Sequence, residues 1–418
     1  MKEPKPLHIA AAGNSDLAFF IEAIVLLLMA TGTVFVFSAG ANVSTSLDLR
    51  QFYNFTTLKK ILFFPLAVAL MYIISRINYR RLGFSDTPAW KSLTPYLLFI
   101  GIALLVAVLI FGEGIGSDKR FARRWLRIAI GPVNLSFQPS ELAKWATVFF
   151  LAGFAAKFRN NKSLHWKHLM IACAITGVVV GLIVTQDFGT AAFIAVLAFV
   201  MLFIAGAKWR HLLTPLIVAI PVFYIAVVTS PTRINRIKNF INAENMLYQA
   251  KQSLIAISTG GMWGKGLGKG VIKYGHLPED TSDFIFAVIA EELGFVGAVC
   301  VLLLFAGLLV VTMLVIIRCK DRFGRMLAAG IAITITLQAA INIGVVTVVL
   351  PTKGIPLPFI SAGGTSMLLS AMAAGVLINI ARQSGRAQVQ IEPVVSEIPL
   401  SFPAEGPAEI PPADGEEF

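Results

Sequence analysis

Long apolar runs recur along this chain from Leu17 to Arg382, separated by shorter polar segments. An apolar run of about 20 residues crosses a bilayer as a helix, because in lipid each backbone N–H and C=O must find its partner inside the segment. The runs are continuous and lack the alternation of a membrane barrel. The spacing predicts an all-α polytopic membrane protein with about ten transmembrane helices, over 17–38, 61–77, 93–111, 141–157, 169–185, 190–207, 212–229, 284–317, 326–350 and 361–382. The eighth run is too long for one straight crossing, so it is expected to project, tilt, or bend near Gly294 and Gly297. Charged residues make up 14% of the chain, against about a quarter in soluble domains.

Lys and Arg set the orientation. They cluster in alternate loops, around Arg80, Lys162, Lys208 and Arg322, and at the start of the tail. The positive-inside rule then places both termini in the cytoplasm. Three domains follow: a cytoplasmic segment 1–16, a membrane domain 17–386 with a large external loop 230–283 between spans seven and eight, and a tail 387–418. The tail is rich in Pro, Glu and Asp and reads as disordered. The first apolar run is too long for a cleaved signal peptide and reads as a retained anchor. The net charge of +12 belongs to the loops of a membrane protein, so nucleic acid is not an expected partner. The three cysteines form neither a disulfide framework nor a zinc pattern.

Two external loops run against the charge rule. Residues 111–140 carry Lys119, Arg120, Arg123, Arg124 and Arg127, and residues 230–283 carry Arg233, Arg236, Lys238, Lys251, Lys265, Lys269 and Lys273. Either other loops fix the topology and these cations are tolerated, or they hold an anionic ligand outside. Ile234, Ile237 and Ile241 recur at helical spacing between basic residues, which suggests an amphipathic interfacial helix. A glycine-dense stretch, Gly260 to Gly270, lets backbone N–H groups approach an anion, and Lys265 and Lys269 flank it. Glycine also marks plain turns.

Several polar residues stand at or within the spans. Asp283, after Glu279 and Asp280, sits where the large loop meets an apolar helix. General base, metal ligand, ion-pair partner and helix opener all fit that placement. Partial burial there would raise its pKa toward a useful range. Gln138-Pro139-Ser140-Glu141 reads as a helix start, with Glu141 and Lys144 one turn apart and able to pair. Asp187 occupies a tight external connection. Glu22, Glu291, Glu292, Gln338 and Asn342 are expected to face the bundle interior, with interhelical bonding preferred for Glu22, Gln338 and Asn342. The three prolines of 351–358 make a rigid connection, and Gly363-Gly364 suits an unwound segment lining a cavity.

These pieces together resemble the SEDS family (shape, elongation, division and sporulation) of bacterial cell-wall proteins. The resemblance rests on Arg124-Trp125-Leu126 with Gln138 to Lys144, Asp187-Phe188-Gly189-Thr190, Ala205-Gly206-Ala207-Lys208, and Tyr248-Gln249 with Gln252-Ser253. It also rests on Trp263 to Gly268, Leu277 to Gly294 and Pro351 to Ser366, in that order. Pro351-Thr352-Lys353-Gly354 resembles the FtsW-type division branch. Ala362 stands where many relatives have tyrosine.

The resemblance implies a glycosyltransferase that polymerises lipid II at the outer face of the bacterial cytoplasmic membrane, at the division site. It implies inversion, with Asp283 as base. For pyrophosphate or sugar it points to Lys265, Lys269, Arg120, Arg124, Glu141, Lys144, Asp187 and Lys353. A divalent cation, Mg or Mn, is compatible with it, and no organic cofactor is expected. The implied partners are lipid II, a class B penicillin-binding protein, other division proteins and membrane lipids. A lipid II flippase and a division scaffold are the rival readings. Polarity densest on the external side favours the enzyme.

Overall fold

The computed structural model describes residues 14–40, 55–84, 88–114, 123–130, 133–160, 163–241, 246–271 and 282–389. Among the described residues there are twelve α-helices: α1 (Asn14–Gly40), α2 (Phe55–Arg76), α3 (Leu93–Phe111), α4 (Pro139–Phe158), α5 (Trp166–Val184), α6 (Phe188–Ile204), α7 (Trp209–Val228), α8 (Pro231–Ile241), α9 (Tyr248–Gly260), α10 (Ile285–Arg318), α11 (Arg322–Val346) and α12 (Gly364–Val389). Each expected span overlaps one of these helices, α1 to α7 and α10 to α12. Seven helices are long and apolar enough to cross a membrane, and Leu62–Arg76 and Phe188–Ile204 are shorter apolar helices. α4 is the most enclosed of the ten, buried along nearly its whole length. The amphipathic pattern after Ser230 is α8, which has no buried residue. One feature was not expected: the 111–140 loop contains a small antiparallel sheet of β1 (Glu113–Gly114), β2 (Arg123–Ile130) and β3 (Val133–Phe137). Residues 1–13 and 390–418 lie outside the described residues, and with them most of the tail.

Contacts sort the connections into two ends. At one, Tyr79 donates to Asp321 at 2.8 Å, its N–H donates to Asn379 Oδ1 at 3.0 Å, and Leu164 N–H donates to Gly206 O at 3.3 Å. Burial and the Asp321 carboxylate push the Tyr79 hydroxyl far above the ordinary phenol range. Glu22 serves as interhelical glue, as expected: Tyr72 donates to it, and Arg382 pairs with it at 3.1 Å. The other end gathers the connections before α4, α6, α10 and α12, and Asp283 is there.

The long α10 breaks where the sequence predicts a bend. Gly294 has φ 69° and ψ −165°, a left-handed conformation that only glycine takes without strain. The break would orphan backbone groups inside the bundle. The glycine loop after α9 supplies the partners. Lys265 and Gly266 N–H donate to Glu291 O and Glu292 O, both at 3.0 Å. Phe295 and Val296 N–H donate to Gly261 O at 2.9 Å and Met262 O at 3.2 Å. Gly264, also left-handed at φ 79°, lies so close to Glu292 O that no Cβ fits.

The dense glycines do gather N–H groups around anions, as the sequence suggests, but those anions belong to the chain. Glu291 and Glu292 are fully buried. Glu291 pairs with Lys265 at 2.6 Å and accepts from Val271 N–H at 2.9 Å. Glu292 accepts from Gly268 N–H at 3.1 Å and from the Ser38 hydroxyl at 2.8 Å. Lys265 is thus a structural cation as placed, whereas Lys269 is exposed. Lys265→Ala should cost about 1–3 kcal/mol by leaving a buried carboxylate short of its partner. Lys269→Ala should cost under about 0.5 kcal/mol. Equal unfolding temperatures for the two variants in detergent would contradict this assignment.

Candidate active site

Asp283 does not open α10. Phe284 is the capping residue, without a side-chain cap bond. Two side chains fasten the backbone of this turn. Asn342 Nδ2 donates to Asp283 O at 2.8 Å and to Ile355 O at 2.7 Å. The Ser361 hydroxyl donates to Ser282 O at 2.5 Å and accepts from Leu357 N–H at 2.7 Å. Two side chains of the bundle therefore fasten the Asp283 turn to the proline-rich connection. That leaves the carboxylate half-buried against Gly354, where a Cβ would stand 2.5 Å from Asp283 Oδ2. Gly354 is not among the residues with positive φ, so alanine suits its backbone. Gly354→Ala should nevertheless force the carboxylate aside. Misplacement of a catalytic group by about 1 Å costs roughly 100-fold in rate. The expected result is that loss in glycan synthesis, with an unchanged unfolding temperature.

Beneath this turn runs a buried polar chain. Lys144 Nζ pairs with Glu141 at 2.8 Å, as the spacing predicts, and donates to Gln338 Oε1 at 2.8 Å. Gln338 Nε2 donates to Pro356 O at 2.8 Å. Pro139 at the first turn of α4 sets Glu141 and Lys144 on the bundle side. Charges at this depth persist only when paired. Between Gly354 and the pair lies a cavity of about 20 Å³, room for one water. Gln338 and Asn342 are the interhelical bonds expected of them, and they join the ion pair to the aspartate's turn.

Beside Asp283 the fold assembles cations. Asp187 caps α6, accepting from Thr190 N–H at 3.1 Å, and is almost fully buried. Arg124 stands 3.7 Å from it and donates to Gln186 O at 3.0 Å. Lys353 Nζ reaches within 3.5 Å of Asp187, sealed from solvent and without a hydrogen-bond acceptor. It packs where a side chain at Gly189 would be. Arg233 binds the open C-terminal carbonyl of α5, donating to Val184 O at 3.0 Å, and lies over the Phe188 ring at 5.3 Å. Arg236 follows one turn along α8 and repels Arg124.

Burial outweighs its attraction to Asp187 and brings the Lys353 ammonium down to about 8. Burial and Arg124 lower both Arg233 and Arg236. Burial opposes ionisation of Asp187, yet Lys353 and Arg124 hold its carboxyl below the ordinary range. Four cations around one carboxylate leave a surplus positive charge next to Asp283, since Lys353 and Gly354 are adjacent in sequence.

Of the expected site residues, the structure brings together Asp283, Arg124, Glu141, Lys144, Asp187 and Lys353. It turns Lys265 to Glu291 and leaves Lys269 exposed. Arg120, Glu279 and Asp280 lie outside the described residues. Arg233 and Arg236, which the sequence marks only collectively, as loop cations set against the charge rule and as the basic residues of an amphipathic helix, stand here beside Asp187. Among the described residues no three His, Cys, Asp or Glu side chains form a metal cluster.

The family model described as "Cell cycle protein", which groups FtsW, RodA and SpoVE, matches residues 18–386. The chain belongs to that family. It is 36% identical to the stage V sporulation protein E of Bacillus subtilis over 86% of this chain and 96% of that one. It is 35% identical to the probable peptidoglycan glycosyltransferase FtsW of Trichlorobacter lovleyi, over 90% of this chain and 94% of the relative. Among solved structures it matches a chain reported under "Structural coordination of polymerization and crosslinking by a peptidoglycan synthase complex". There the TM-score is 0.65 and the identity 26%, over 90% of this chain and 99% of that chain. It also matches the rod shape determining protein RodA of Thermus thermophilus, with a TM-score of 0.60 and 27% identity over 90% of this chain and 98% of RodA. These FtsW/RodA/SpoVE relatives are matched across the whole bundle, so every element of the site lies inside the shared region.

Proposed function

We propose that this chain is a peptidoglycan glycosyltransferase that polymerises lipid II, with Asp283 as general base. The single observation that carries the site assignment is the juxtaposition of the Asp283 turn, fastened through its backbone, with a surplus of cations around the buried Asp187. Family membership and the FtsW-named relatives support the activity. In the reaction the acceptor sugar hydroxyl attacks the anomeric carbon in line, and its proton passes to Asp283. The anomeric C–O bond to pyrophosphate breaks, and the departing charge falls to Arg124, Lys353 and Arg236. Were a divalent cation such as Mg or Mn to take part, Asp283 is the residue that would hold it. Such an ion would add Lewis-acid help to the leaving group.

The orientation puts both termini in the cytoplasm and the Asp283 end outside, supported by the alternating basic loops. A class B penicillin-binding protein is the proposed partner, supported by the likeness to a synthase-complex chain. Pro351-Thr352-Lys353-Gly354 supports a division role; relatives of similar identity include a sporulation protein and FtsW proteins. The deciding experiment incubates purified protein, alone and with its partner, with lipid II and separates glycan strands on gels. Strands made only with the partner still support the enzyme. No strands under either condition, together with lipid II translocation in vesicles, would favour the flippase.

Lys353 gives this proposal a pH signature. Its folded pKa of about 8 lies below the ordinary lysine value, so the cation disappears first in the folded protein. Lipid II affinity should weaken as pH rises through about 8. Lys353→Arg, which stays charged, should move that alkaline limb upward. Stability runs the other way: between the folded and unfolded pKa values the unfolded chain binds the extra proton. Lys353 therefore favours folding more as pH rises through that window. An alkaline limb unmoved in Lys353→Arg would exclude Lys353 from the pyrophosphate site.

A further inference from the structure

A larger cavity, about 230 Å³, opens at the Tyr79 end, away from Asp283. Leu97, Trp145, Ala146, Phe149 and Val376 line it, and Asn78 and Arg81 stand at its polar edge. The cavity follows α4 from Leu142 to Phe149, about 10 Å of helix. Its wall is apolar, the lining a hydrocarbon chain would find. Its rim specifies more than hydrocarbon.

Trp145 is 2% exposed and its Nε1 has no acceptor. That donor lies inside the packed wall and leaves the face turned to the cavity apolar. Arg81 is exposed, and among the described residues no carboxylate pairs with it. Arg80 adjoins it in the same short helical turn, and Lys91 follows across the loop. Trp90 is 68% exposed beneath the Lys91 ammonium, 5.1 Å from its ring centre, an arrangement typical of the headgroup level. Hydrocarbon wall and cationic rim are the complement of a single lipid with a negative head.

We infer that this cavity binds one acyl chain of an anionic phospholipid from the cytoplasmic leaflet, with its phosphate at Arg81. The inference rests on the orientation proposed above, which places residues 77–92 inside. The lipid then lies one side chain from the buried ion pair, because the Lys144 ammonium sits 5.5 Å from the Trp145 ring centre.

The test uses the full chain, purified in detergent and stripped of lipid. It is titrated with phosphatidylglycerol or with phosphatidylcholine of identical chains, and read by native mass spectrometry and by unfolding temperature. Phosphatidylglycerol should be held roughly tenfold more tightly, because its head keeps a net negative charge at the cationic rim whereas the choline ammonium cancels that of phosphatidylcholine, and should raise the unfolding temperature. Arg81→Glu, at an exposed position, should abolish that preference and keep the fold. Ala146→Leu should fill the cavity and weaken both lipids.

Equal retention of the two lipids, or a preference that survives Arg81→Glu, overturns the inference. Displacement of phosphatidylglycerol by undecaprenyl phosphate overturns it in favour of a polyprenyl groove. Labelling of Lys91→Cys by an impermeant reagent separates the two failures. Reaction in intact spheroplasts would refute the orientation and the inference together. Reaction only after lysis, without lipid preference, refutes the inference alone.

Discussion

Asp283→Asn should reduce glycan polymerisation by about 10²–10⁴-fold, the range supplied by a positioned general base. The substitution keeps the size of the side chain and removes its basicity. The anchors of this turn are backbone groups, Asp283 O to Asn342 and Ser282 O to Ser361, and Asn leaves both intact. The unfolding temperature in detergent should therefore stay near that of the wild type. Lipid II binding should survive as well, because the cations around Asp187 are untouched. The readout is strand length and yield on gels with partner present, beside a binding isotherm. Near-normal strand synthesis would remove Asp283 from the base role. Loss of binding together with synthesis would instead make it a substrate contact.

The second large effect is on stability. Lys144→Ala strips the counter-ion from Glu141, whose side chain is 7% exposed, and leaves Gln338 Oε1 without its donor. Removing one partner of a buried pair costs about 3–5 kcal/mol, a large part of a typical folding free energy. The protein should unfold at a clearly lower temperature or fail to accumulate. Glu141→Gln combined with Lys144→Met removes both charges at similar volume and should recover most of that loss. Recovered stability without recovered glycan synthesis would assign the pair a part in the reaction. Recovery of both would make it purely architectural.

The sequence made the frame legible because its signals are local. Span length, the break in the eighth helix, Pro139 at a helix start and the Glu141–Lys144 turn depend on neighbours within a few residues. Asp283 stood out for the same reason, as a carboxylate at the foot of an apolar helix. What stayed hidden depends on chain crossings. Lys265 lies 26 residues from Glu291, and Lys144 lies 194 from Gln338. No periodicity marks such meetings. The glycine loop shows the limit clearly. Its composition announced N–H groups aimed at an anion and was silent on whose anion. Arg236 was one cation among many until α8 placed it beside Arg124. Lys353 had a motif for its signal, but only Gly189 and Asp187 reveal that its charge is held in a sealed place.

The junction between the glycine loop and the broken helix also governs which mutations the lineage of such a chain can explore. Its bonds run from backbone to backbone, so they are indifferent to most side chains. Met262, Trp263 and Leu267 are exposed, and drift at them leaves the junction unchanged. Gly264 and Gly294 admit no side chain at all. Tolerance there switches between nearly everything and nothing within a single residue, and no gradual path leads from one state to the other.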